Sequence, residues 1–277
     1  MTILVTGMHG NIGHRVAGRL VEAGHRVRGS SRNPASPPVG VEAVELDLTD
    51  PRNAATALSG VETVFLYPVR GPVEGFLDAA RKADVQHVVL LSSPAAYEVG
   101  EHDRLIGLVH RAVEQAVQDS GLSHTVLYPS WLATNARRDW AEQIRTHGRV
   151  GIAYPDARFN PIHIDDIAEE AADVLTGEAH RSRMLVLTGP ESLPQRRMVD
   201  ILADVRGAPI GVDELTRGQA LERRPPWMPA QVLDALLDVS AAAVDVPAAV
   251  TNTVERVTGH PSRTFREWAL SHRTEFV

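Results

Sequence analysis

The run Thr2-Ile3-Leu4-Val5-Thr6-Gly7-Met8-His9-Gly10-Asn11-Ile12-Gly13 constrains this chain more than any other. A short apolar segment enters glycines at 7, 10 and 13 and passes into a helical pattern over 11–23, with Ile12, Val16, Leu20 and Val21 on one side. Each glycine answers a separate need: a tight turn at Gly7, backbone approach to a pyrophosphate at Gly10, and close helix-to-strand packing at Gly13. The N–H groups at the start of the helix, with the positive end of its dipole, face the same point. This is the cradle of a dinucleotide, and His9, Asn11 and Ile12 are expected to line it beside the glycines. A glycine triplet alone is weak evidence; a triplet that follows a strand and opens an amphipathic helix is not.

The rest of the first half keeps the strand–helix alternation of a doubly wound parallel sheet, an α/β fold of Rossmann type. Strands are predicted at 2–6, 25–30, 41–45, 63–67, 87–92 and 125–129, and helices at 11–23, 51–58, 73–83 and 105–120. Beyond Pro129 the pattern loosens. Helices at 140–146, 164–176, 195–206, 215–222 and 230–242, with a strand at 184–188, suggest a smaller, mainly helical lobe. The expected division is a dinucleotide domain over 1–130 and a substrate-side lobe over 131–277, interleaved with the last strands of the sheet and capping the cofactor.

Composition closes several routes. The net charge of −7 is spread over interspersed acids and bases, which leaves no basic face for nucleic acid. No segment approaches the roughly 20 apolar residues of a membrane span. The N-terminus enters its first strand without a signal-like apolar region, so a cytoplasmic protein is expected. Cysteine is absent, which removes disulfides, thiolate nucleophiles and Cys-ligated metal. The twelve histidines lack metal-ligand spacing near carboxylates, so no metal is expected. Lys82 is the single lysine.

At the end of the second strand, Val27-Arg28-Gly29-Ser30-Ser31-Arg32-Asn33 holds no carboxylate where an NAD enzyme places one for the ribose 2′-hydroxyl. Arg32, with Ser31 beside it, suits a 2′-phosphate, because the guanidinium presents a planar set of donors. NADP is therefore the expected cofactor and NAD the alternative. Asp47, followed by Leu48 at the end of the third strand, can accept from an adenine amino group or cap the helix near Pro51. Tyr67-Pro68 and Tyr128-Pro129-Ser130-Trp131 end the fourth and sixth strands, where the carboxyl-end rule places the nicotinamide and its substrate. Trp131, Tyr154 and Phe159 are candidates for an aromatic substrate wall, with Trp140 and Trp227; at 5% aromatic content these residues equally suit a core.

Taken together, Thr6-Gly7-x-x-Gly10-x-x-Gly13, Ser31-Arg32, Asp47-Leu48-Thr49, Leu90-Leu91-Ser92-Ser93, Leu127-Tyr128-Pro129, Pro161-Ile162-His163-Ile164-Asp165-Asp166 and Thr264-Phe265-x-x-Trp268 resemble the NmrA-like group of atypical short-chain dehydrogenases/reductases. The resemblance spans nearly the whole chain. It implies an NAD(P)H-dependent oxidoreductase acting on a quinone or another aromatic or conjugated small molecule, such as an aromatic polyketide under tailoring; the group also contains redox-sensing regulators that work through a protein partner. A small aromatic substrate is the expected partner, and a homodimer is compatible with the chain. The superfamily's Tyr-x-x-x-Lys pair is missing: Gly71, Glu101, Leu132 and Arg158 stand four residues after the tyrosines. Lys82 is expected to pair with Asp78 one turn earlier. The catalytic candidates are therefore His110, where the superfamily lysine would stand, Ser92 at the height of the superfamily serine, and Tyr97 four residues after Ser93. His110 can equally pack beside Glu114, one turn along. In the Pro161–Ala168 stretch His163 and Asp165 are expected to be architectural, Asp165 as a helix cap.

Overall fold

The computed structural model describes residues 1–96 and 104–277. Its first half runs β1 (Thr2–Thr6), α1 (Asn11–Glu22), β2 (Arg26–Ser31), β3 (Val41–Glu45), α2 (Ala54–Leu58), β4 (Thr63–Leu66), α3 (Glu74–Lys82), β5 (His87–Leu91), α4 (Arg104–Asp119) and β6 (His124–Pro129). Then come α5 (Asn135–His147), β7 (Arg149–Ala153), β8 (Arg158–Phe159), α6 (Ile164–Thr176), β9 (Met184–Leu187) and β10 (Leu193–Pro194). The chain closes with α7 (Gln195–Arg206), β11 (Gly211–Leu215), α8 (Arg217–Glu222), α9 (Ala230–Ala242), α10 (Thr253–Thr258) and α11 (Phe265–Ser271).

Among the described residues, seven parallel strands form one sheet in the order β3-β2-β1-β4-β5-β6-β9. Strand order reverses between β1 and β4, which opens a crevice at their carboxyl ends. Central strands such as Val88–Leu91 are apolar at every position because helices cover both faces. One face buries Ile3, Val5, Phe65, Val89 and Leu127 under α1 and α6; the other buries Leu4, Val64, Leu66, Val88 and Leu90 under α2, α3 and α4. The amphipathic spacing read for α1 does this work: Ile12, Val16 and Leu20 are buried.

A third core gathers Ala136, Trp140 and Ile144 of α5, Met198 and Leu202 of α7, and Phe265 and Trp268 of α11. Here the structure departs from the sequence expectations. The helix predicted at 140–146 begins at Asn135, and the one predicted from Leu215 begins at Arg217, capped by Thr216 in a reciprocal capping box with Gln219. Leu215 instead ends β11, which pairs in parallel with β7, and neither strand was expected. Short strands with a single partner carry little periodicity. Residues of α6 and β9 return to the large sheet and its α1 layer. No helix among the described residues is long and apolar enough to cross a membrane.

Candidate dinucleotide site

The glycines at the β1–α1 junction are required by contacts that the structure measures. Gly7 adopts φ +67°, the left-handed region that side chains disfavour, and its N–H and that of Met8 both donate to the Ser30 carbonyl of β2. A β-carbon on Gly13 would stand 2.3 Å from the Gly7 carbonyl oxygen, so α1 lies against the loop at a distance only glycine allows. Gly10 caps α1 with extended backbone and no side-chain bond, and no acidic residue occupies the first turn. The first N–H groups of α1, on Asn11, Ile12 and Gly13, have no intrahelical acceptor. They offer donors to an anion, and this loop fits a pyrophosphate. His9 and Asn11 are exposed beside it.

At the ends of β2 and β3 a pocket of about 320 Å³ is lined by Arg32, Glu45, Asp47, Asp50, Arg52 and Asn53. Asp47 Oδ1 accepts from the Thr49 hydroxyl at 2.7 Å and from the Thr49 N–H at 2.9 Å. These two bonds, the hydroxyl first, hold its carboxyl below the ordinary carboxylate range. The cap for the helical turn at Pro51 is Asp50, whose side chain accepts from the Arg52 N–H; Asp47 does not fill that role. Asp50 also pairs with the Arg52 guanidinium, a residue the sequence reading passed over. The Ser31 hydroxyl donates to the Asn33 carbonyl, so in this conformation Arg32, and not Ser31, presents donors to the pocket. Leu48 is buried in the core under α2.

Toward the other end of the crevice Tyr67 is 45% exposed, its N–H held by the Thr6 hydroxyl at 2.8 Å, with Pro68 half-buried after it. Ser92, directly after β5, donates to Glu114 Oε1 of α4, and the Tyr128 hydroxyl donates to Glu114 Oε2 at 2.9 Å. His110 Nδ1 lies 3.5 Å from the Ser92 Oγ. Burial lowers the pKa of the His110 imidazolium against the opposing pull of Glu114, which favours the neutral ring. His110 therefore lies near Glu114, as the packing alternative expects, while Ser92 after β5 and Tyr128 of β6 donate to the Glu114 carboxylate. Tyr128, at 2% exposure, is a core residue whose ring does not frame the crevice, and Pro129 is buried beside it. Ser130 donates to the Asn160 carbonyl at 2.8 Å. Tyr97 lies outside the described residues.

Trp131 stacks on Phe159 at 5.9 Å and tilts against Trp140 at 6.1 Å, so two of the three proposed substrate-wall residues meet. Tyr154 does not join that stack among the ring contacts of the described residues; it takes a left-handed turn, and Arg217 is held by Asp234 and Asp238. At the start of α6 the cap is His163, whose Nδ1 accepts from the Asp165 N–H at 3.1 Å; Asp165, expected there, pairs with Arg15 of α1 at 2.7 Å. Asp78 pairs with Arg81 at 3.2 Å in place of the expected Lys82. Among the described residues no group of three or more His, Asp or Glu side chains is placed to hold a metal.

A doubly wound parallel sheet with a glycine cradle at its switch point defines a dinucleotide-binding protein. Residues 7–178 match the profile of an NAD(P)H-binding family, and the chain belongs to that family. A reductase of (4-alkanoyl-5-oxo-2,5-dihydrofuran-3-yl)methyl phosphate from Streptomyces griseus is 36% identical, over 99% of both chains. An NAD(P)H azoreductase from Xenophilus azovorans is 30% identical over 99% of both. In fold, the chain is similar to the NADPH complex of an Escherichia coli NADPH-dependent quinone oxidoreductase, with a TM-score of 0.82 and 22% identity over 98% of this chain and 99% of that one. A Citrobacter triphenylmethane reductase complexed with NADP(H) gives 0.82 at 19% identity, over 99% and 100%.

Proposed function

We propose that this protein is an NADPH-dependent reductase of a small conjugated acceptor, a quinone or a related aromatic or acyl-conjugated molecule. The observation that carries the cofactor half is Arg32 lining the pocket with Asp47, with no carboxylate at the end of β2. In this reading Arg32 holds the 2′-phosphate, the second oxygen of Asp47 accepts from the adenine amino group, and the N–H groups of Asn11, Ile12 and Gly13 hold the pyrophosphate. His9 and Tyr67 flank the phosphates, and Pro68, Ser92, His110 and Ser130 border the nicotinamide end. Residues 131–277 supply the substrate side, with Trp131 and Phe159 as an aromatic wall and Tyr154 as a separate aromatic contact.

When bound, the cofactor supplies a hydride to the acceptor. A conjugated acceptor becomes a delocalised anion, so the chain has only to hold a proton source nearby and exclude competing water. That demand suits a site whose lone lysine, Lys82, stands exposed at the end of α3. The relatives support the substrate class: the names of two full-length ones record reduction of an acyl-butenolide phosphate and of azo compounds.

Absorbance at 340 nm with NADPH or NADH and a panel of quinones, aromatic ketones, azo dyes and acyl-butenolides tests the reading. Acceptor-dependent loss of NADPH is the expected outcome. Tight binding without turnover across the panel favours the other reading, a redox sensor that prefers one oxidation state of the cofactor and signals to a partner, which the missing Tyr–Lys pair motivates. Arg32→Ala is expected to weaken NADPH binding by about 1.5–3 kcal/mol and to spare NADH, read by calorimetry. Equal losses for the two cofactors would remove the 2′-phosphate assignment.

A further inference from the structure

Behind the proposed nicotinamide end, a hydrogen-bonded chain crosses three elements. It runs from the Tyr128 hydroxyl in β6 to Glu114 in α4, to the Ser92 hydroxyl after β5, and to His110 Nδ1, also in α4. Tyr128 stands on β6 and Ser92 directly follows the neighbouring β5, since Leu91 pairs with Leu127 and the Ser92 N–H donates to the Leu127 carbonyl. Both are almost fully buried, at 2% and 3% exposure.

The chain has a direction. A hydroxyl carries one hydrogen, and a carboxylate only accepts. Tyr128 spends its hydrogen on Glu114 Oε2 and Ser92 spends its own on Oε1, so both carboxylate oxygens receive donors. What Ser92 then turns toward His110 is a lone pair. A ring nitrogen facing a lone pair must carry the proton, and a neutral imidazole carries only one.

We propose that Glu114, braced by Tyr128, is a positioning residue that makes Ser92 an acceptor and so fixes His110 as the Nδ1–H tautomer, leaving Nε2 as a lone-pair atom. His110 then accepts a hydrogen bond at Nε2 from a hydroxyl or amino group bound in the crevice. A ribose hydroxyl or the nicotinamide carboxamide has that chemistry. Ser92, its hydrogen committed to Glu114, does not donate to a substrate oxygen. The local sequence offers a different arrangement, a direct His110–Glu114 pair one helical turn apart, and the intervening Ser92 replaces it with a relay whose polarity is set from the core.

The consequence for turnover rests on the reductase reading; the tautomer does not, and it is measured without turnover. Long-range 1H–15N correlation spectra of 15N-labelled protein at pH 7.5 report which imidazole nitrogen is protonated, and His110 is assigned by its disappearance in His110→Gln. The expected result is Nδ1 in the protonated, pyrrole-type range and Nε2 in the pyridine-type range. The opposite pattern in the unmodified protein overturns the proposal, whatever any variant does. Glu114→Leu frees the Ser92 hydrogen, which is expected to turn onto Nδ1 and exchange the two nitrogen positions. Tyr128→Phe keeps the Ser92–Glu114 bond and is expected to keep the original pattern. A Glu114→Leu protein that folds and keeps the Nδ1–H tautomer also overturns it. Absence of NADPH turnover would sink the reductase reading and leave this test standing.

Discussion

Gly13 shows how a single atom decides whether this site exists. A β-carbon there would fall 2.3 Å from the Gly7 carbonyl oxygen, a backbone atom that cannot swing aside as a flexible side chain can. Gly13→Ala is expected to cost about 1–3 kcal/mol in urea unfolding, the range for overpacking a close-packed site, and to weaken NADPH binding as α1 shifts from the loop. Unchanged stability would mean that the junction has more room than the structure gives it. These glycines were legible in the sequence because each requirement is local: a positive φ or a missing β-carbon is a property of one residue and its immediate neighbours. Glu114 was only half legible. Its i,i+4 spacing from His110 is visible in the sequence, but its partners Ser92, just past β5, and Tyr128 of β6 are brought beside α4 only by the fold. Asp47 and Asp50 make the same point at shorter range: two carboxylates three residues apart compete for one cap, and backbone geometry awards it to Asp50.

α6 is fastened by ionic partners on both sides. Arg15 and Arg19 of α1 reach Asp165 and Glu169, while Arg263 reaches Asp166 and Glu169 from the segment before α11. Asp166 is wholly buried and accepts both the Arg263 guanidinium and, at 2.8 Å, the Arg263 N–H. A carboxylate without solvent depends on that partner, because the desolvation cost remains when the partner is removed. Arg263→Ala is therefore expected to destabilise the fold by about 3–5 kcal/mol in denaturant titration. Arg81→Ala, whose partner Asp78 is exposed, is expected to change stability by less than about 1 kcal/mol. Similar effects for the two variants would show that Asp166 reaches water or another donor once Arg263 is gone. The period-3.6 pattern located α6 correctly, but its cap, His163, lacked the usual signature, since a histidine accepting through Nδ1 is an uncommon N-cap.

At the scale of the molecule, Glu170 links the packing of α6 to solution pH. Its carboxyl is fully buried between α6 and its surroundings, and neither oxygen has a hydrogen-bond partner among the described residues. Burial pushes its pKa from the ordinary 4.5 up to about 8, against the opposing pull of Arg256. The native chain thus keeps a proton that the unfolded chain releases between about pH 4.5 and 8, so this group's contribution is largest below that window and is lost as pH rises through it. At 1.36 kcal/mol per unit the loss reaches about 3 kcal/mol by pH 7. Glu170→Gln is expected to flatten the fall in stability between pH 5 and pH 8 in urea titrations, and an unchanged slope would place the proton elsewhere. The glycine cradle, the parallel sheet and most of its strand positions follow from residue order, because consecutive residues encode glycine turns, caps and periodicity. The packing of the layers set the pairing of β7 with β11, the meeting of Asp166 with Arg263 and of Asp165 with Arg15, the lack of a hydrogen-bond partner for Glu170 among the described residues, and the contacts of Glu114 with Ser92 and Tyr128. Those contacts join segments up to 150 residues apart, as from Arg15 to Asp165, and their energies turn on desolvation and close packing that exist only once the layers have met.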